Sequence, residues 1–233
     1  HLGNARTALF NYLLAKRSGG QFLLRIEDTD AERSKPEYTA QLKADLQWLG
    51  LPWDGEIVEQ SRRGEVYAKA FAQLEQAGRV NGALHAAEIE VSRKSQLAAG
   101  RPPRYAGTCR NLDAHQRAAR LAEGRKPTLR FRVPDAGRVE FTDLVHGEQV
   151  FACADIGDFI VQRADGSAAF FFSNVIDDAL TGVTTVLRGE DHLSNTPRQL
   201  LLAEALGLRA PTYGHLSLIT SADGSPLSKR FGA

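Results

Sequence analysis

The chain has 233 residues, 42% hydrophobic and 24% charged, with 29 Lys and Arg against 28 Asp and Glu for a formal net charge of +1. This composition excludes a disordered or fibrous chain and suits one large folded domain or two modest ones. Bulk charge neither demands nor excludes nucleic acid, so any such surface has to be local.

The chain opens with HLGNARTALF. Leu9, Phe10, Leu13 and Leu14 form an apolar stripe at helical spacing, closed by Gly19 and Gly20, which predicts a helix directly after HLGN. FLLRI predicts a short buried strand running into EDTD. Glu27, Asp28 and Asp30 then lie just beyond its carboxyl end, where ligands sit in open α/β sheets. Ser34 and Pro36 start a second helix that carries Leu42, Leu46 and Leu49 and ends at Gly50; Val66, Ala70, Phe71 and Leu74 mark a third, ended by Gly78.

After about Val80 the pattern changes. EIEVSRKSQLAAGRPPRY mixes helix with a basic, proline-broken segment, and strands then dominate: LRFRV alternates, and DFIVQR and AAFFF flank Ala164, Asp165, Gly166 and Ser167 as a hairpin. From Phe170 the α/β pattern resumes. SNVIDDAL reads as a helix and TTVLRGED as a strand ending in charge, and Thr196 and Pro197 open an amphipathic helix that stops at Gly207. Two cysteines, Cys109 and Cys153, give no disulfide framework and suit a reducing cytoplasm. No apolar run approaches the ~18 residues of a membrane span. With no methionine in the sequence, the native chain is expected to extend upstream of His1, and also beyond Ala233.

Two segments suggest phosphate chemistry. A helix start presents backbone N–H groups and partial positive charge, so HLGN is placed to meet phosphate: Gly3 allows close approach, Asn4 can cap the helix, and His1 can donate to an oxygen gaining charge. Taken alone, a His-x-Gly before a helix is more often a turn. The C-terminal TSADGSPLSKRFGA carries Ser228, Lys229 and Arg230 on a polar loop, which suits a cationic clamp on a polyphosphate, or else a solvated basic turn.

HLGN, LRIEDTD, LRGEDHLSNTPRQLLL and PLSKR, in this order, resemble the class I aminoacyl-tRNA synthetases, and specifically the glutamyl-tRNA synthetases. HLGN is similar to the family's HIGH element and PLSKR to its KMSKS loop, while RIEDTD is the string most specific to the glutamyl group. The resemblance implies an α/β fold, a Rossmann-like doubly wound parallel sheet with an inserted α+β acceptor-binding domain. It divides the chain into a first catalytic half (1–80), the insertion (81–168), a second catalytic half (169–206) and the start of a stem-contact region with the KMSKS-like loop (207–233).

The roles implied are those of a glutamate–tRNA ligase. His1 and Lys229 would stabilise the α-phosphate and the departing pyrophosphate, with Gly3, Asn4, Asp191 and Ser228 contacting ATP. Glu27 would hold the substrate ammonium and Arg188 a substrate carboxylate, with Phe170 and Asn174 lining the glutamate pocket. Arg93, Lys94, Arg104 and Arg110 would grip tRNA phosphates, or form a solvated helix face. ATP, Mg2+, L-glutamate and tRNA-Glu are the implied ligands, for a monomer in the cytoplasm with no membrane partner.

The sequence departs from the family pattern in three places. Phe170 stands at a tyrosine position. Pro226 replaces the first lysine of the KMSKS element. Where many relatives carry a C-x-C zinc motif this chain reads NGALHAAEIE, leaving His85, Tyr105 and Cys109; four ligands are normally needed, so structural zinc is not expected. The alternatives are a paralogue that glutamylates queuosine in tRNA-Asp, a small-molecule nucleotidylyltransferase, and a catalytically inactive RNA-binding remnant.

Overall fold

A computed structural model describes residues 2–29, 34–83, 98, 105, 110, 115, 116, 119, 122 and 128–220. Two strand–helix–strand units carry the parallel pairing. In the first, β1 (Arg25–Ile26) is followed by α2 (Pro36–Trp48) and pairs with β2 (Val58–Glu59), Arg25 opposite Val58. In the second, β8 (Thr185–Gly189) is followed by α6 (Thr196–Leu206) and pairs with β9 (Thr212–Leu216), Arg188 opposite His215. Parallel neighbours need such a crossover, and the helix in each loop supplies it. Gly207 ends α6 at φ 65°, a left-handed conformation that glycine adopts without a Cβ penalty.

Helix α1 spans Leu2–Arg17 and α3 spans Gly64–Gln76. An antiparallel sheet of order β3-β4-β7 joins Val80–Ala83, Thr128–Phe131 and Phe159–Gln162. The hairpin β5 (Arg138–Asp143) and β6 (Gly147–Ala152) lies against β9, its turn residue Leu144 donating to the Tyr213 carbonyl at 2.9 Å, and a short α4 (Cys153–Ile156) leads to β7. Helix α5 spans Phe170–Leu180.

The main apolar cluster joins Tyr67, Phe71 and Leu74 of α3 with Phe131, Val161, Phe172, Ile176 and Leu202. It therefore runs from the strands of the expected insertion into α3, α5 and α6. Phe71 and Phe172 stack at 4.1 Å, fastening α3 to α5. A second cluster holds α1 and α2 through Phe22, Leu46 and Leu51, with Ala8, Tyr12 and Ala15 packed against it.

Several local expectations change. AAFFF does not form the second strand of a hairpin: only a single bridge, Gln162 to Ala168, remains, and α5 starts at Phe170. Phe172, Val175 and Ile176 recur at i, i+3 and i+4 and bury one face, so tertiary burial decides a short apolar run that periodicity leaves ambiguous. FLLRI forms a ladder only at Arg25 and Ile26; Phe22 instead exchanges bonds with Asp54, its N–H donating to Oδ2 at 2.9 Å and its carbonyl accepting from Asp54 N at 2.7 Å. The face of α1 that meets the core is Ala8, Tyr12 and Ala15, whereas Leu9, Phe10 and Leu13 are exposed. Asn4 lies inside α1, so it does not cap it.

Candidate active site

The site builds up at the carboxyl end of β8, where the chain leaves the strand through Gly189 into a 3₁₀ segment, Glu190–Asn195. Arg188 projects from the strand and is held by three donated hydrogen bonds: Nε to His215 Nε2 at 3.1 Å, and Nη2 to Thr196 Oγ1 at 2.8 Å and Gln199 Oε1 at 2.6 Å. Its guanidinium carbon sits 4.8 Å from the centroid of the Tyr213 ring. All of these partners are neutral. Among the described residues no carboxylate lies within ion-pair distance of Arg188. Burial pulls its pKa below the usual arginine range, while Tyr213, Asp178, Glu27 and Asp191 oppose that shift from nearby. A partly buried cation lacking a paired anion is costly, and a ligand carboxylate would relieve that cost.

Behind Arg188 stands His215, fully buried, and behind that Asp143. His215 Nδ1 lies 2.5 Å from Asp143 Oδ2. Asp143 Oδ1 accepts the N–H groups of Val145, His146 and His215 at 2.9, 3.0 and 3.2 Å. Burial works against the Asp143 charge, but the hydrogen bonds from His146, His215 and Val145 outweigh it and bring the pKa down to about 2. Since ionised Asp143 can only accept, His215 carries its proton on Nδ1 and offers Nε2 as an acceptor to Arg188. Burial keeps the imidazole neutral, lowering its pKa against the opposing pull of Asp143.

Glu27, just past β1, accepts from Arg25 Nη2 at 3.3 Å, and the Nη1 of the same arginine donates to Asp178 Oδ1 at 2.5 Å. Burial disfavours the Arg25 charge, yet Asp178 and then Glu27 more than restore it. Asn174 is buried on α5, its Oδ1 accepting from Gln60 Nε2 at 2.9 Å. Gln60 Nε2 also lies 3.0 Å from Asp177 Oδ2, which accepts from the Tyr67 hydroxyl at 2.6 Å, and Arg63 Nε reaches Oδ1 at 2.5 Å. Burial and the Asp177 bond push the Tyr67 phenol well above its ordinary range. Asp28 is taken up locally, accepting from Ser61 N and Oγ at 2.8 and 2.7 Å. A cavity of about 420 Å³ opens beside it, lined by Asp28, Gln60, Tyr67, Phe71, Gly166 and Ser167.

The expected residues fall into four groups. Glu27 and Arg188 share one charge cluster with Arg25 and Asp178, and Asn174 lies on α5, the helix that carries Asp178. Phe170 opens α5 with its ring 5.4 Å from that of His192, and Asp191 stands largely exposed beside that histidine at 3.8 Å. Gly3 and Asn4 lie in the first turn of α1. Arg110 donates to the Val133 carbonyl at 2.6 Å and is paired with Asp135, from the loop before β5, and with Asp158, from the turn before β7.

His1, Arg93, Lys94, Arg104, Ser228 and Lys229 lie outside the described residues, as do His85 and Cys109. Among the described residues no group of three or more His, Cys, Asp or Glu could hold a metal ion, and no helix is long and apolar enough to cross a membrane.

Sequence reading missed Asn11, Asp143, Thr196 as a ligand of Arg188, Gln199 and His215. Asn11 did carry a signal, as a polar residue set within the apolar stretch of α1. The others have none that is local, since their partners lie on other elements.

A family model described as tRNA synthetases class I (E and Q), catalytic domain, matches residues 1–233. "Glutamate--tRNA ligase 2" of Alkalilimnicola ehrlichii is 59% identical over 242 residues, a match that covers 100% of this chain and 51% of the relative. "Glutamate--tRNA ligase 1" of Halorhodospira halophila is 55% identical with the same coverage. The chain thus spans about half the length of these curated relatives. A crystal structure of glutamate-tRNA synthetase from Elizabethkingia anophelis superposes with TM-score 0.90 at 32% identity, covering 100% of this chain and 50% of that one.

Proposed function

From the premise that this chain belongs to the class I tRNA synthetases of the E and Q group, we propose that it is the activating portion of a glutamate–tRNA ligase. The observation that carries the reading is Arg188: a partly buried guanidinium oriented by neutral acceptors, with no carboxylate of its own to pair with among the described residues. A substrate carboxylate is the complementary group, and a fixed fork binds it better than a point charge does. Glu27, already near this cluster, is the counterpart for the substrate ammonium, and Asn174, held by Gln60, lines the same pocket.

In the proposed reaction the other carboxylate of the bound glutamate attacks the α-phosphorus of ATP in line and pyrophosphate leaves, a problem of positioning and electrostatics. Gly3, Asn4 and Asp191 take the nucleotide side, with His1, Ser228 and Lys229 as the phosphate-facing groups. Mg2+ neutralises charge on the nucleotide phosphates when bound; such ions keep water and phosphate ligands, so the lack of an acidic cage among the described residues is compatible with it. The acyl group then passes to the terminal ribose of tRNA-Glu. Residues 81–168 act as the acceptor-gripping insertion, through Arg93, Lys94 and Arg104; Arg110 is left out of that set by its ion pairs. The enzyme works as a cytoplasmic monomer without structural zinc.

The queuosine paralogue is favoured by no observation, since the relatives named above are glutamate–tRNA ligases. The test is glutamate-dependent exchange of pyrophosphate into ATP by the full-length protein, with and without tRNA-Glu. Exchange that requires tRNA-Glu supports the ligase. Exchange without tRNA supports the paralogue, and no exchange under either condition supports the inactive remnant.

A further inference from the structure

We propose that Asp143 and His215 are positioning residues for amino-acid recognition: as a carboxylate–imidazole pair they set the orientation of the Arg188 guanidinium. The inference rests on Arg188 being the glutamate-carboxylate ligand. Three features lead to it. Asp143 and His215 have fully buried side chains and lie 72 residues apart, on β5 and β9, with 2.5 Å between Oδ2 and Nδ1. His215 is the register partner of Arg188 across β8 and β9, so its imidazole edge meets the arginine Nε at 3.1 Å. Asp143 Oδ1 is occupied by three backbone N–H groups, which leaves Oδ2 alone to face the ring.

This arrangement determines the tautomer. With Oδ2 as acceptor, the imidazole proton sits on Nδ1 and Nε2 can receive the Arg188 N–H. An Nε2–H would instead be drawn to Thr196 Oγ1, 3.1 Å away, and would meet the Nε–H of Arg188 donor against donor, so the guanidinium loses its Nε acceptor and turns from its place. Thr196 and Gln199 fix the Nη2 end, so His215 governs the remaining rotation.

Asp143→Asn tests the idea through a single proton. The three backbone donors keep the amide oxygen at the Oδ1 position, which places the NH₂ against Nδ1 and drives the ring proton to Nε2. Glutamate and ATP binding are measured by calorimetry on the full-length wild type and on D143N, H215Q, H215F and D143N/H215Q, with thermal melts to verify folding. D143N and H215F are expected to weaken glutamate about tenfold or more while ATP stays within about twofold, and H215Q, whose amide oxygen can still accept from Arg188, to lose much less. D143N should weaken glutamate in the H215Q background as well, because the Asn NH₂ favours the flipped Gln amide, which turns a donor toward Arg188. If D143N does not fold, H215F against H215Q carries the comparison. Unchanged glutamate affinity in folded D143N or H215F, or equal losses for glutamate and ATP, overturns the inference and leaves the ligase reading standing. A wild type that binds no glutamate overturns both.

Discussion

Asn11 and Leu187, 176 residues apart, exchange two hydrogen bonds: Asn11 Nδ2 donates to the Leu187 carbonyl at 2.8 Å, and Leu187 N–H donates to Asn11 Oδ1 at 3.1 Å. A side-chain amide thus takes the place of a neighbouring strand along β8. It ties α1, whose first turn carries Gly3 and Asn4, to the strand that carries Arg188, so the nucleotide side and the amino-acid side of the proposed site share one fastening. Removing it leaves two backbone groups of β8 without these partners. Asn11→Ala is expected to destabilise the protein by about 1–3 kcal/mol, read as a lowered midpoint in urea unfolding. An unchanged midpoint would show that solvent satisfies the strand edge equally well.

Asp177 holds three donors from two segments, the Tyr67 hydroxyl, Gln60 Nε2 and Arg63 Nε, and it is fully buried. Replacing it by alanine strands a charged guanidinium beside the core and is expected to cost about 3–5 kcal/mol. Tyr67→Phe removes only one neutral donor and should cost about 1 kcal/mol. The ordering of the two variants by chemical denaturation is the check; a larger loss for Y67F, which keeps the ring against Phe172, would mean that the phenol hydroxyl, not the Arg63 ion pair, dominates there.

Arg188→Lys keeps the charge and discards the fork. The bonds to His215, Thr196 and Gln199 cannot all be made by one ammonium on a flexible stem. Glutamate-dependent pyrophosphate exchange is expected to show a KM for glutamate raised about tenfold or more, with the KM for ATP little changed. Equal changes in both would place Arg188 outside the amino-acid pocket.

The Asp143–His215 pair also sets a pH dependence. Imidazole titrates ordinarily near 6.5, and burial lowers the His215 value against the pull of Asp143, with Arg188 and His146 adding to the depression; Tyr213 and Thr196 complete its surroundings. The unfolded chain therefore binds this proton more readily than the folded one, and stability falls as pH drops below about 6.5 toward the folded value. Asp143 has the usual carboxylate sign: held at about 2 from an ordinary 3.8, its contribution is complete above the latter and is lost as pH falls through about 2. Comparing melting temperatures of wild type and H215F from pH 7 to pH 5 isolates the first effect. The wild type should lose stability more steeply, and parallel curves would assign the slope to other groups.

Much of this molecule is decided within a few residues. Pro36 at a helix start and Gly50, Gly78 and Gly207 just past helix ends act through local backbone geometry, and the observed α2, α3 and α6 follow them. The places of Glu27 just past β1 and of Arg188 near the end of β8 are likewise legible, because a short apolar run that stops in charge marks the end of a strand. The sequence by itself also determined family membership, since four short motifs keep their order along the chain. What Arg188 rests on was decided by tertiary structure alone. The parallel register of β8 and β9 brings His215 opposite it, and the β5–β6 hairpin then delivers Asp143 to His215. The same holds for the pairing of Arg110 with Asp135 and Asp158, and for Phe172, which burial against Phe71 makes helical. Periodicity and capping act over a turn or two of chain, whereas hydrogen-bond satisfaction of a buried polar group depends on which distant segment folding lays against it.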